Sequence, residues 1–128
     1  MSRIGWCVRV GLAIGLSVLL PAISSAGDLK TPTIAASAAA AADWATTYHA
    51  LKFYRLREAN PALRPLDRDP AAMVAVGAAM DVGLVALWNT SVGQRHERLA
   101  AAGLWTMAAF RTYLAIHNLR NEARVPRR

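Results

Sequence analysis

Two apolar runs constrain this chain more than any other feature. Residues 71–88 are eighteen positions with one full charge, Asp81, and residues 99–119 likewise hold only Arg111. A hydrophobic stretch of this length with so little charge reads as a helix able to span a bilayer, which needs about 20 residues. A third run, 34–57, contains neither Gly nor Pro and is rich in Ala, the best helix former. Ala is nearly neutral towards lipid and Asp43 opposes insertion, so this first helix is a marginal span that depends on its neighbours. Small-residue pairs such as Ala35/Ala39 and Ala38/Ala42 allow another helix to approach it closely.

The 128 residues suffice for one domain. The predicted architecture is all-α, a three-helix transmembrane bundle (34–57, 71–90, 99–119) preceded by a signal peptide or signal anchor at 1–26. Arg3 and Arg9 supply the positive end of that segment, residues 10–20 its apolar core, and Ser24-Ser25-Ala26 the small residues read at a cleavage site. The core is short for a span, which favours cleavage over an anchor. Residues 27–33 read as a linker, Asn60-Pro61 as a helix break, Asn89-Thr90-Ser91-Val92-Gly93 as a turn and 120–128 as a basic tail.

The net charge of +7 raises the question of nucleic acid, but the charges lie elsewhere than in a binding patch. Nine of the fifteen Lys and Arg residues fall in 52–68 and 120–128, both flanking apolar runs. The positive-inside bias then makes the loop and the C-terminus cytoplasmic, with Lys30, Arg95 and Arg98 outside. Trp44, Trp88 and Trp105 all fall in the outer halves of their helices on this topology, as an aromatic belt would. The expected location is a bacterial inner membrane, with lipid as the surrounding partner and no nucleic acid.

A charge at mid-span costs about 2.5–3.5 kcal/mol on the insertion scale, so such groups face the bundle interior and pair. Asp43, Asp81 and Arg111 are the first candidates for a buried polar site. Two carboxylates against one guanidinium is a mismatch. If one Asp pairs with Arg111, the other needs a donor or a proton, because burial disfavours a bare carboxylate. Asp43, Thr47, Ala50, Tyr54 and Glu58 recur at helical spacing and form a polar stripe on the first helix. Thr47 joins the candidate site on that ground; Thr46 and Thr47 also have a local use, bonding back to helix carbonyls. Glu58, Asn60 and His117 are secondary candidates. Glu58 and Asn60 mark a helix terminus, and His49 and His117 lie on the inner side at unequal depths.

No H-E-x-x-H or other zinc-ligand cluster occurs, and no nucleophile elbow, P-loop or dinucleotide fingerprint. The single cysteine, Cys7, excludes a disulfide framework. Neither enzymatic activity, cofactor nor metal is expected.

At Asp43-x-x-Thr46-Thr47-x-x-Ala50-Leu51, followed by Glu58-x-Asn60-Pro61, the chain resembles a family of small uncharacterised bacterial membrane proteins. In that family an Asp-Thr helix is followed by a Glu-x-Asn-Pro break and two further hydrophobic helices. The resemblance covers 42–119 and implies membrane location and bacterial origin, with no catalytic residues.

Three functional readings follow. The first is a structural or accessory component of a membrane assembly, self-associating or bound to a larger partner. The second is a proton- or ion-handling component using Asp43, Asp81 and Arg111. The third is a soluble periplasmic helical protein.

Overall fold

A computed structural model of the protein describes residues 28–127 except 55, 59 and 67. The expected signal segment, with Cys7, lies outside the described residues. The architecture is all-α: α1 (Lys30–Phe53), α2 (Pro70–Leu87) and α3 (Glu97–Glu122).

Local chemistry explains most helix ends. α1 begins four residues before the expected Ile34, because Pro32 sits in its first turn, where a missing N–H costs nothing. The Asp28 carboxylate accepts a hydrogen bond from the Lys30 amide at 2.8 Å. α1 also ends at Phe53 rather than Arg57, with Tyr54 extended and bridged to Arg127. The polar stripe proposed along α1 therefore stops short of Tyr54 and Glu58. An early exit lets the loop fold back and carry Leu63 to Trp44, Leu51 and Met73, a cluster a longer helix would break. The loop tightens through Asn60, whose carbonyl accepts from the amides of Leu63 and Arg64, then a short 3-10 turn at Arg64–Leu66. Asp69 caps α2, its side chain accepting from the Ala72 amide at 3.0 Å, with Pro70 at the first helical position.

The expected turn at 89–93 is instead a π-helical continuation, Trp88–Val92. Asn89 and Thr90 bond back to the carbonyls of Val85 and Ala86, which keeps the chain coiled past the end of α2. α3 runs from 97 to 122, longer than the expected 99–119. Glu97 in its first turn and Arg120 in its last complement the helix dipole. The basic tail thus begins inside α3.

α1 is the central element. Thr33 meets Asn89, Trp44 meets Asp81, and Leu51 packs with Met73, so α2 runs antiparallel to α1. Asp43 meets Arg111, Thr47 meets Asn118 and His49 meets Glu122, so α3 runs parallel to it. The interior is thin and Ala-rich. Ala36 and Ala40 of α1 pack with Leu104, Trp105, Met107 and Ala108 of α3, and among the described residues the largest side chains wholly removed from solvent are Met73 and Leu104. Much of the apolar bulk points outward, including Met80, Val82, Leu87, Phe110, Tyr113 and Leu119. Two stretches, Pro70–Val92 and Glu97–Glu122, are long and apolar enough to cross a membrane, and only 17% and 28% of their most apolar windows are buried.

Candidate functional site

The three helices converge on one guanidinium. Asp43 and Asp81 are 2% and 6% exposed, and the Arg111 side chain 18%. Arg111 Nη1 donates to Asp43 Oδ2 at 2.7 Å, and Nη2 donates to Asp81 Oδ1 at 2.5 Å. A planar fork with two divergent N–H groups can serve two carboxylates at once, which a compact ammonium does poorly. The fork thereby joins α3 to both α1 and α2.

The other oxygens are also satisfied. Trp44 Nε1 donates to Asp81 Oδ2 at 2.6 Å, and Asn118 Nδ2 donates to Asp43 Oδ1 at 3.3 Å. All four carboxylate oxygens therefore accept a hydrogen bond. The need for a donor at an Asp beyond the one paired with Arg111 is met here by Arg111 itself, which serves both carboxylates, together with Trp44 and Asn118. One-to-one counting of charges along the sequence overlooks the fork of the guanidinium and the indole and amide donors.

Asn118 extends the network. Its two amide protons are spread over Asp43, Thr46 Oγ1 at 3.2 Å and Thr47 Oγ1 at 2.9 Å, while Thr46 bonds back to the Asp43 carbonyl at 2.9 Å. The Arg111 guanidinium also lies 5.1 Å from the centre of the Trp44 ring, within cation–π range. Among the described residues, no side-chain polar atom is left buried without a partner.

Of the candidates read from sequence, Asp43, Thr47, Asp81 and Arg111 come together here. Glu58 and His117 do not, and Asn60 reaches the site only as part of the lining of a cavity of about 490 Å³ that it shares with Asp81 and Arg111. Glu58 and Asn60 lie in the α1–α2 loop, where Glu58 Oε1 accepts from the Asn60 amide at 2.7 Å and Asn60 Oδ1 from the Ala62 amide at 3.0 Å. They shape the turn. His117 is exposed on α3, stacked on Tyr113. His49 pairs instead with the buried Glu122, 3.0 Å away.

Trp44 and Asn118 are the residues that the sequence reading missed as site members. Asn118 lies seven positions, two helical turns, after Arg111, a spacing that places both on one face of α3. Trp44 follows Asp43 directly, and nothing in the spacing shows its indole turning towards α2. The proposed aromatic belt is also corrected: Trp44 and Trp105 are buried and Trp88 is half-buried. A large indole fills space that the Ala-rich helices leave between them. Cavities adjoin the site on both sides of α2, one of about 490 Å³ lined by Asp81 and Arg111 and one of about 700 Å³ reaching Trp44 and Asp81. No group of three or more metal-ligating side chains occurs among the described residues.

No family model, curated protein or solved structure matches the chain.

Proposed function

We propose that the chain is a small integral membrane protein whose three helices form a bundle in a bacterial inner membrane, where it serves as a structural or accessory part of an assembly. The observation that carries this reading is the inverted distribution of polarity. Asp43, Asp81 and Arg111 are inside, while Met80, Val82, Phe110 and Leu119 are outside. Water would favour the reverse, since burying charge is costly and exposing large contiguous apolar surface invites association. Lipid favours the observed order, in which charges face inward and pair.

Orientation rests on charge alone, now that two of the three tryptophans face inward. The basic loop 52–68 and the C-terminus are cytoplasmic, and Arg95 and Arg98 are outside. The site itself is a clamp rather than a reaction centre, because its carboxylates and guanidinium are engaged with one another across three helices. Alkaline extraction of membranes tests the location: the chain stays in the pellet. Release into the supernatant supports the soluble periplasmic reading instead.

A second reading, proton or ion handling, draws on two observations. The triad carries one more carboxylate than guanidinium, and the 490 Å³ cavity reaches Asp81 and Arg111. Reconstituted vesicles distinguish it: proton flux lost in Asp81→Asn at unchanged accumulation supports handling, and absence of flux in the wild type removes it.

A further inference from the structure

α1 packs along both other helices, but α2 and α3 scarcely touch each other. Between them the cavity of about 490 Å³ forms a groove along α2 from Gly77 to Leu87, with Trp44, Asp81 and Arg111 in its lining. Met80, Gly83, Leu84 and Leu87 on its α2 side are all exposed. They recur at three, four and seven positions, the spacing of a helix face that packs against a neighbour. A Cβ at Gly83 would meet nothing within 4 Å, so a neighbour can approach the backbone there.

The groove also reaches an unbalanced charge. Each of the four oxygens of Asp43 and Asp81 accepts from an N–H donor, the arrangement suited to two ionised carboxylates. Against these two negative charges stands the single guanidinium of Arg111, and among the described residues no second cation pairs with either carboxylate. A charge left over inside a membrane is costly and pairs where it can.

We propose that this groove seats a transmembrane helix of a partner protein, which brings one Lys or Arg at mid-span to the Asp43–Asp81–Arg111 triad. That cation balances the second carboxylate, and the apolar remainder of the partner covers Met80, Leu84 and Leu87. The α2 wall is exposed along about 15 Å of helix, a shape that suits a helix rather than a small ion. A second copy of this chain does not supply the cation. The runs 71–88 and 99–119 contain no Lys or Arg besides Arg111, which is already engaged, and Lys30 and Lys52 lie at the two ends of α1.

The inference names the partner chemistry of the assembly proposed above and so rests on the membrane reading; one experiment separates the two. The full chain, with a donor fluorophore fused after Arg128, is reconstituted in phosphatidylcholine vesicles with acceptor-labelled Leu-Ala helices of about 20 residues. These helices carry Lys, Gln or Leu at the centre. Flotation of the vesicles reports whether the chain is in lipid, and energy transfer reports the groove. The Lys helix is expected to give several times the transfer of the Gln and Leu helices. Gly83→Leu, which fills open space, lowers that transfer to the Leu level, and Asp81→Asn lowers it as well. A chain that floats yet shows equal transfer with the Lys and Leu helices overturns the proposal. So does a Lys preference that survives both substitutions, or stronger transfer between two labelled copies of the chain than to the Lys helix. A chain that does not float overturns the membrane reading, and the partner helix with it.

Discussion

At the residue scale, Arg111 is the one group whose loss the site does not absorb. Asp43→Asn or Asp81→Asn leaves the guanidinium paired with the other carboxylate and removes a single interhelical charge contact, worth about 0.6–2 kcal/mol. Arg111→Leu leaves two buried carboxylates facing each other with no cation, a change of about 3–5 kcal/mol. Unfolding in detergent is expected to rank Arg111→Leu well below either Asn variant, with Asp43→Asn added to Arg111→Leu recovering part of the loss. Equal damage from all three single changes would contradict the forked geometry. Trp44→Phe probes the indole separately. It keeps an aromatic ring but deprives Asp81 Oδ2 of its donor, at a cost of about 1–3 kcal/mol by the same measurement. A neutral result would show that the indole N–H contributes nothing to holding Asp81.

Among elements, the α1–α2 contact depends on a missing side chain. The Trp44 ring occupies the space a Cβ at Gly77 would need, so the two helices approach only because Gly77 is there. Gly103 of α3 receives Trp88 in the same way. Gly77→Val therefore pushes the indole away from α2 and stretches the Trp44–Asp81 hydrogen bond. Overpacking of this kind costs about 1–3 kcal/mol, read as a lower unfolding midpoint in detergent. Gly83, which has open space around it, serves as the control, and Gly83→Ala is expected to keep the wild-type midpoint or raise it slightly. Similar losses at the two glycines would mean that general helix effects, not the ring, set the cost.

For the whole molecule, the test is what surrounds α2 and α3. Val82 is 70% exposed near the middle of the apolar stretch of α2. In water, Val82→Lys at such a position changes stability by less than about 0.5 kcal/mol. In lipid it costs about 2.5–3.5 kcal/mol and lowers insertion of α2. Membrane-integrated yield of Val82→Lys is expected to fall sharply; full yield in the alkaline-resistant pellet, or an unchanged soluble protein, would argue for water around the bundle.

The apolar runs around Asp81 and Arg111 determined by themselves that α2 and α3 would be long helices, because length and hydropathy are local properties. The Asp43, Asp81 and Arg111 set was legible for a related reason: an isolated charge in an apolar helix has to find a partner. Helix ends were less legible. α1 closes at Phe53 because Leu63 must reach Met73, and the chain coils on past Leu87 through the back-bonds of Asn89 and Thr90. Only the tertiary structure decided that one guanidinium serves two carboxylates, that Trp44 turns inward to complete Asp81, and that Asn118 completes Asp43. Each of these contacts joins residues at least thirty positions apart in the chain and depends on which way a side chain turns, and neither is encoded in the spacing along one helix.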